Sequence, residues 1–184
     1  MTSFLAISGS LRAGSFNTAL ANAAAELVPE GVQVEVATLH GIPLYDGDIE
    51  ASEGIPNGVL RLKEKVMAHD GLLLVTPEYN RGVPAALKNA IDWLSRADSK
   101  AVFGGRPVAL MGASPGGFGT QVGQIAWLPT LKHLGTRIYS GADMLVSRVQ
   151  DQVDGQGRLT DERTRQALAD FLAGFAAFVA QQKG

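Results

Sequence analysis

The sequence predicts an α/β domain in which a parallel sheet of five strands carries helices on both faces. Short apolar and β-branched runs alternate with longer stretches of helical period from one end of the chain to the other. That order is expected when parallel strands are joined by right-handed helical crossovers. The run "GLLLVT" (71–76) is apolar without interruption, as a strand covered on both faces must be. At 184 residues, 46% hydrophobic and 18% charged, the chain has the size and composition of one soluble domain built on one core.

The elements follow in order. "SFLAIS" (3–8) is the first strand, and "SFNTALANAAAEL" (15–27) a helix with Leu20, Ala24 and Leu27 in register, stopped by Pro29-Glu30-Gly31. "VQVEVATL" (32–39) alternates as a strand with one wetter face would. Residues 40–57 read as a loop, and 58–69 as a surface helix with Leu60, Val66 and Met67 near one face. After the third strand at 71–76, "VPAALKNAIDWLSR" (83–96) places Pro84 in a first helical turn and Leu87, Ile91 and Leu94 on one side. "RPVALMGA" (106–113) is the fourth strand. "GTQVGQIAWLPTLKHLG" (119–135) is a helix in which Pro129 predicts a kink or restart. "TRIYSGADMLV" (136–146) supplies a fifth strand or a pair of short ones, and 151–161 an exposed polar loop. The closing helix (159–182) takes Thr160 as its cap and lines up Leu168, Phe171, Leu172, Phe175, Phe178 and Val179 for the core. No linker or repeat divides the chain, so residues 1–184 are expected to form a single domain.

Composition excludes several classes of function. With 16 Lys and Arg against 18 Asp and Glu, the formal charge is −2, which gives no bulk attraction to nucleic acid or acidic membranes. The absence of cysteine removes disulfides, thiolate metal sites and a cysteine nucleophile, and fits a reducing compartment. The start "MTSFLAISGS" lacks the pattern of a signal peptide, and no apolar run has the length of a membrane span. A cytoplasmic location is the expectation. His40, His69 and His133 share no metal-ligand spacing.

Three stretches of unusual composition each follow a strand: "GSLRAGSFN" (9–17) the first, "PEYNRGVP" (77–84) the third and "SPGGFG" (114–119) the fourth. In doubly wound sheets ligands bind beyond the carboxyl ends of strands where the strand order reverses, and a flavodoxin-like order 2-1-3-4-5 brings all three loops to one edge. Around the first loop stand the hydroxyls of Ser8, Ser10, Ser15 and Thr18, the amide of Asn17 and the cation of Arg12. They lead into a helix N-terminus whose free N–H groups and positive dipole end attract an anion. The loop reads as a phosphate cradle, against the competing reading of a serine helix cap beside a solvated arginine. Neither G-x-G-x-x-G nor G-x-x-x-x-G-K-[ST] fits the chain, so dinucleotide and P-loop fingerprints are set aside. Hydroxyl donors suit a monophosphate, such as that of flavin mononucleotide (FMN). In the second loop Pro77, Tyr79 and Asn80 would border a flat heteroaromatic ring, a proline-containing turn with a packed tyrosine being the alternative. Gly116 and Gly117 of the third would let backbone approach a ligand edge, where a plain strand-to-helix turn competes.

The chain resembles the NAD(P)H-dependent FMN reductase family, in its quinone and chromate reductase-like branch. The resemblance is carried by "ISGSLRAGSFN", "IPLYDGD" (42–48), "VTPEYNRGVPAALKNAIDWLSR" (75–96), "GRPVALMGASPGGFGT" (105–120) and "VDGQGRLTDERTRQAL" (153–168), stretches spread over most of the sequence. It implies a flavodoxin-like three-layer sandwich that holds FMN noncovalently and assembles as a homodimer or larger. The implied reaction passes a hydride from NADPH or NADH through FMN to a small-molecule acceptor such as a quinone, free flavin, azo compound or chromate. Carried over by motif, Ser10, Arg12, Ser15 and Asn17 would hold the FMN phosphate. Pro77, Glu78, Tyr79 and Asn80 would contact the isoalloxazine ring, and Ser114, Gly116 and Gly117 would border its other side. Part of "IPLYDGD" would line the partner's site.

Because the flavin carries the chemistry, no catalytic acid, base or nucleophile is expected. Backbone N–H groups near Asn80 or Gly116 would stabilise the negative charge of the reduced ring. Glu78 and Asp92 fall on a loop and a helix, with nothing to make them a catalytic pair. Arg81 is a candidate for a nicotinamide 2′-phosphate by location alone. Relatives carry arginines after the "GGFGT"-like turn, in a helix that helps to build tetramers. This chain has Val122, Pro129 and no arginine there, a departure that bears on tetramer formation. The alternative reading is an FMN-binding electron carrier or redox sensor without nicotinamide turnover, and the near balance of charges argues against the acidic surface such carriers use for docking.

Overall fold

The computed structural model describes residues 1–182. Four strands, β1 (Thr2–Ser8), β2 (Val32–Ala37), β3 (Gly71–Val75) and β4 (Pro107–Ala113), run parallel in the order β2-β1-β3-β4. The fifth position is filled in tandem. β5 (Arg137–Ile138) pairs with the start of β4, and β6 (Met144–Val146) with its end. Of the two readings open for residues 136–146, the pair of short strands is the one found. Between them the chain leaves the sheet, and the Tyr139 ring packs into an aromatic cluster, 5.6 Å from Phe171 and Phe178 and 5.7 Å from Phe175.

The helices are α1 (Phe16–Glu26), α2 (Gly47–Glu53), α3 (Asn57–Ala68), α4 (Ala85–Phe103), α5 (Gln121–His133) and α6 (Glu162–Gln181). Side chains of the sheet divide between its faces with the two-residue period of a strand. Phe4, Ala6, Leu73, Val75, Ala109 and Met111 join the core formed with α1 and α6, whereas Leu5, Ile7, Leu72, Leu74, Val108 and Leu110 join that formed with α3, α4 and α5. The result is the three-layer, flavodoxin-like sandwich with the expected strand order. Among the described residues no helix is long and apolar enough to cross a membrane.

Local details depart from the sequence reading. The expected loop 40–57 contains α2, capped by Asp46, whose Oδ1 accepts from the Asp48 N–H at 2.8 Å. The buried stripe of α3 is Val59, Leu62 and Val66, while Leu60 and Met67 stay exposed, because i, i+3, i+7 spacing selects the former set. α4 runs past Arg96 to Phe103 through an extended residue, Asp98, with Val102 and Phe103 buried beyond it. α5 continues across Pro129 without restarting, its buried Trp127 and Leu131 seating the turns on either side. The cap of α6 is Asp161, not Thr160. Asp161 Oδ1 accepts from the Thr164 N–H at 2.8 Å and holds its carboxyl below the usual range, whereas Thr160 N–H and hydroxyl both turn to the Gln152 carbonyl.

One glycine sets how closely the layers approach. A Cβ on Gly112 would overlap both the Thr76 carbonyl oxygen of the neighbouring strand end and the Thr120 hydroxyl before α5. Gly112→Ala is therefore expected to lower the stability measured by urea unfolding by about 1–3 kcal/mol, the usual range for overpacking.

Candidate functional site

The loop after β1 is held open by its neighbours. Gly9 donates its N–H to the Val75 carbonyl at 2.9 Å, and a Cβ there would come within 2.8 Å of Pro77 Cδ. Beneath the loop the hydroxyls of Ser8 and Thr18 bond one another at 2.8 Å. Ser15 caps α1, its Oγ accepting from the Thr18 N–H at 3.2 Å. The Ser10 hydroxyl accepts from the Arg12 N–H at 3.3 Å, and the exposed Arg12 guanidinium lies 5.1 Å from the Phe16 ring centroid. The first turn of α1 contains no acidic residue, so its positive end is not compensated from within the helix. The helix-cap reading of Ser15 is thus correct, and it is compatible with the anion-attracting one.

The Asn17 side chain is also built into the scaffold. Its amide makes two bonds to the last residue of β4, Nδ2 donating to the Ala113 carbonyl and Oδ1 accepting from the Ala113 N–H, both at 2.9 Å. The side chain is buried and joins α1 to the third loop. Its backbone N–H lies in the open first turn of the helix, where N–H groups have no intrahelical partner.

Opposite lies the loop after β3. Thr76 Oγ donates to the Pro77 carbonyl at 2.9 Å and accepts from the buried Trp127 indole at 3.0 Å. Glu78 Oε2 accepts from the Gly123 N–H at 2.7 Å and so caps α5, which has no cap bond from Thr120. Ser114 N–H donates to Val146 at 2.9 Å, and Arg148 N–H to Gly116 at 3.1 Å, pinning the third loop to the chain leaving β6. Gly116 N–H donates to Ser114 Oγ at 3.0 Å. A serine two residues earlier thus satisfies this N–H within the turn.

These loops enclose a cleft of about 400 Å³ at the carboxyl ends of β1, β3 and β4, within the range of small-ligand sites. Ser10, Arg12, Ser15, Asn17, Pro77, Glu78, Tyr79 and Ser114 all line it, joined by Phe16, Ala113 and Pro115, which sequence reasoning missed. Asn80, Gly116 and Gly117 lie outside this lining. A larger cleft of about 650 Å³ against β6 and α6 carries Asp143, Asp151 and Asp161 together with Arg148 and Arg163 on its walls, and none of the three strand-end loops contributes to it. The pair Glu78 and Asp92 is not assembled, because Asp92 bonds Lys88 at 2.8 Å while Glu78 serves α5. Among the described residues no group of three His, Asp or Glu side chains is placed to hold a metal.

The "IPLYDGD" segment is fastened to α4. Asn89 Nδ2 and Trp93 Nε1 donate to the Pro43 carbonyl at 2.8 and 2.9 Å, and the Tyr45 ring meets Trp93 edge-on at 4.9 Å. Glu50 accepts from Arg96 Nε at 3.0 Å and from the Tyr45 hydroxyl at 2.9 Å. Those bonds hold its carboxyl below the usual range and push the Tyr45 hydroxyl up. Leu44 is left 79% exposed.

Topology and cleft together define a flavodoxin-like domain whose strand-end cleft is lined by serine hydroxyls and an arginine where dinucleotide folds carry glycines. Comparison with known proteins narrows the class. Residues 2–151 match the model of the family described as NADPH-dependent FMN reductase, and the chain belongs to that family. It is an FMN-dependent NAD(P)H oxidoreductase. An NAD(P)H-dependent FMN reductase of Pseudomonas aeruginosa is 42% identical over 180 residues, covering 98% of this chain and 96% of that protein. A 2-hydroxy-1,4-benzoquinone reductase of a Burkholderia species is 36% identical over 95% of this chain and 94% of its own length. Among solved structures, the Paracoccus denitrificans flavoenzyme FerB, an NAD(P)H:(acceptor) oxidoreductase, superposes with a TM-score of 0.85 at 33% identity, covering 99% of both chains.

Two substitutions separate scaffold from pocket. Asn17→Ala leaves the buried N–H and C=O of Ala113 without partners and is expected to lower urea stability by about 2–4 kcal/mol. Arg12→Ala removes an exposed group and is expected to change it by no more than about 1 kcal/mol.

Proposed function

We propose that the chain binds FMN in the cleft beyond β1, β3 and β4 and reduces a quinone at the expense of NADPH or NADH. The observation that carries this reading is the convergence, in one cleft, of residues from all three strand-end loops with an uncompensated helix N-terminus. Arg12, the Ser10 and Ser15 hydroxyls and the first backbone N–H groups of α1 would hold the phosphate by charge and hydrogen bonding. Pro77 and Tyr79 on one side and Ser114 and Pro115 on the other would border the ring and limit its contact with water, with Glu78 keeping that loop against α5. The backbone at Asn80, Gly116 and Gly117 would lie at the rim. Bound FMN supplies the redox chemistry, taking up a hydride and returning electrons to the acceptor.

A quinone acceptor is supported by relatives named as quinone reductases, including one from Escherichia coli that is 36% identical over 95% of this chain. Free flavins, azo compounds and chromate are further candidate acceptors. Residues 1–184 would act as one catalytic domain, in the cytoplasm, where NAD(P)H is made and a chain without cysteine meets no oxidative folding. Assembly as a homodimer is supported by the apolar surface of α5: Val122, Ile125 and Leu128 are 40%, 57% and 41% exposed, and Phe118 just before them 83%. A patch of that kind on a small domain marks a protein interface.

Purified protein saturated with FMN and freed of excess is expected to stay yellow, to bleach when NADPH or NADH is added without oxygen, and to recover colour with 1,4-benzoquinone. Retained colour that never bleaches would replace the enzyme reading by that of a carrier. Arg12→Ala is expected to weaken FMN binding about tenfold by fluorescence titration, the worth of one charge-assisted hydrogen bond. In sedimentation, Ile125→Glu should convert a dimer into a monomer. An unchanged mass would remove α5 from the interface.

A further inference from the structure

Among the described residues, the non-glycine residues with left-handed backbone are Asn80 (φ 52°), Arg81 (φ 58°) and Arg148 (φ 47°). The first two are the central pair of a tight hairpin. Gly82 N–H donates to the Tyr79 carbonyl at 3.0 Å and Tyr79 N–H to the Gly82 carbonyl at 3.4 Å. With both central residues left-handed, this is a type I′ turn, whose second central position is ordinarily glycine. Asparagine tolerates the first position well. Arginine at the second works against the conformational preference of the turn, so the turn does not account for it.

Nor does packing account for it. Arg81 is exposed, and its guanidinium makes no hydrogen bond or ion pair with any described residue. Nearby charges are engaged elsewhere, Glu78 on the Gly123 N–H and Lys88 on Asp92. Arg148, the other left-handed arginine, lines the separate cleft together with Arg163, Asp143, Asp151 and Asp161. Arg81 extends instead from Tyr79, which lines the flavin cleft. On the proposed reading, the anion of FMN itself is held by the loop after β1. The unpartnered cation of this hairpin, two residues from Tyr79, is available to an anionic ligand other than the FMN phosphate, on a chain whose net charge of −2 offers such a ligand no general attraction.

We propose that Arg81 binds the nicotinamide donor, its guanidinium engaging a phosphate of the dinucleotide. The inference rests on the FMN cleft and deepens it by naming the residue that recognises the donor. Two variants test it. Arg81→Gly removes the charge and relieves the backbone, while Arg81→Gln removes the charge and keeps a side chain on the left-handed residue.

The first readout is calorimetric binding of the unreactive analogue 1,4,5,6-tetrahydro-NADPH to FMN-saturated protein. Both variants are expected to bind it about tenfold more weakly, and the difference should shrink in about 0.5 M salt as screening sets in. Urea unfolding of Arg81→Gly should show a midpoint no lower than that of the wild type. A parallel series separates the two phosphate sources: an equal loss with tetrahydro-NADH assigns the pyrophosphate, and a loss confined to the NADPH analogue assigns the 2′-phosphate. Wild-type affinity in both variants would overturn the proposal. So would a change of sedimenting mass, which would make Arg81 an interface residue. A wild-type protein that holds FMN but is bleached neither by NADPH nor by the phosphate-free donor 1-benzyl-1,4-dihydronicotinamide would overturn the cleft reading itself, and the assignment of Arg81 with it.

Discussion

The paired hydrogen bonds between the Asn17 amide and the backbone of Ala113 are the contact on which the site depends. In a parallel sheet, strand ends present N–H and C=O groups that no further pairing satisfies, and burying them unpaired is costly. The side-chain amide answers both at once, as another strand would. It also fixes where α1 begins relative to β4, separated from β1 in the sheet by β3. The N-terminal end of the helix and the start of the third loop are therefore tied together through one side chain.

Much of the scaffold was legible because the physics that forms it is periodic. The unbroken apolar text of β3 and β4 has one physical meaning, and the Leu87, Ile91 and Leu94 face of α4 another. What was missed is local or tertiary. α2 is a short helix nucleated by its Asp46 cap within text that reads as loop. The continuation of α4 past Asp98 depends on burial of Val102 and Phe103, which only the assembled sheet provides. Pro129 removes one hydrogen bond, but Trp127 and Leu131 outweigh that loss by holding the helix on the core.

The site was legible as a set of residue types following strands, and less so as a set of roles. Ser15, Asn17 and Glu78 were placed as ligand contacts, yet each spends side-chain atoms on the scaffold: a cap on α1, a clamp on β4 and a cap on α5. A motif records that a residue is needed without saying whether it touches the ligand or holds the residue that does. Arg12 is in a different position, exposed beside the cleft with its guanidinium over the Phe16 ring and no buried group that requires it. Binding energy and folding energy are thus divided between neighbouring residues of one loop, and sequence spacing cannot show that division.

The divided fifth strand reaches beyond the core. An edge of two residues, a gap closed by Tyr139 against α6, and an edge of three residues offer no continuous row of free N–H and C=O groups to another chain. The opposite edge, β2, turns Gln33 and Glu35 outward, with Glu35 paired to Lys65. Neither border of the sheet invites extension by a strand from elsewhere. The fragmented border also lies next to the third loop, through the Ser114 N–H bond to Val146 at the end of β6, so the device that blunts the sheet edge helps to hold the cleft wall in place.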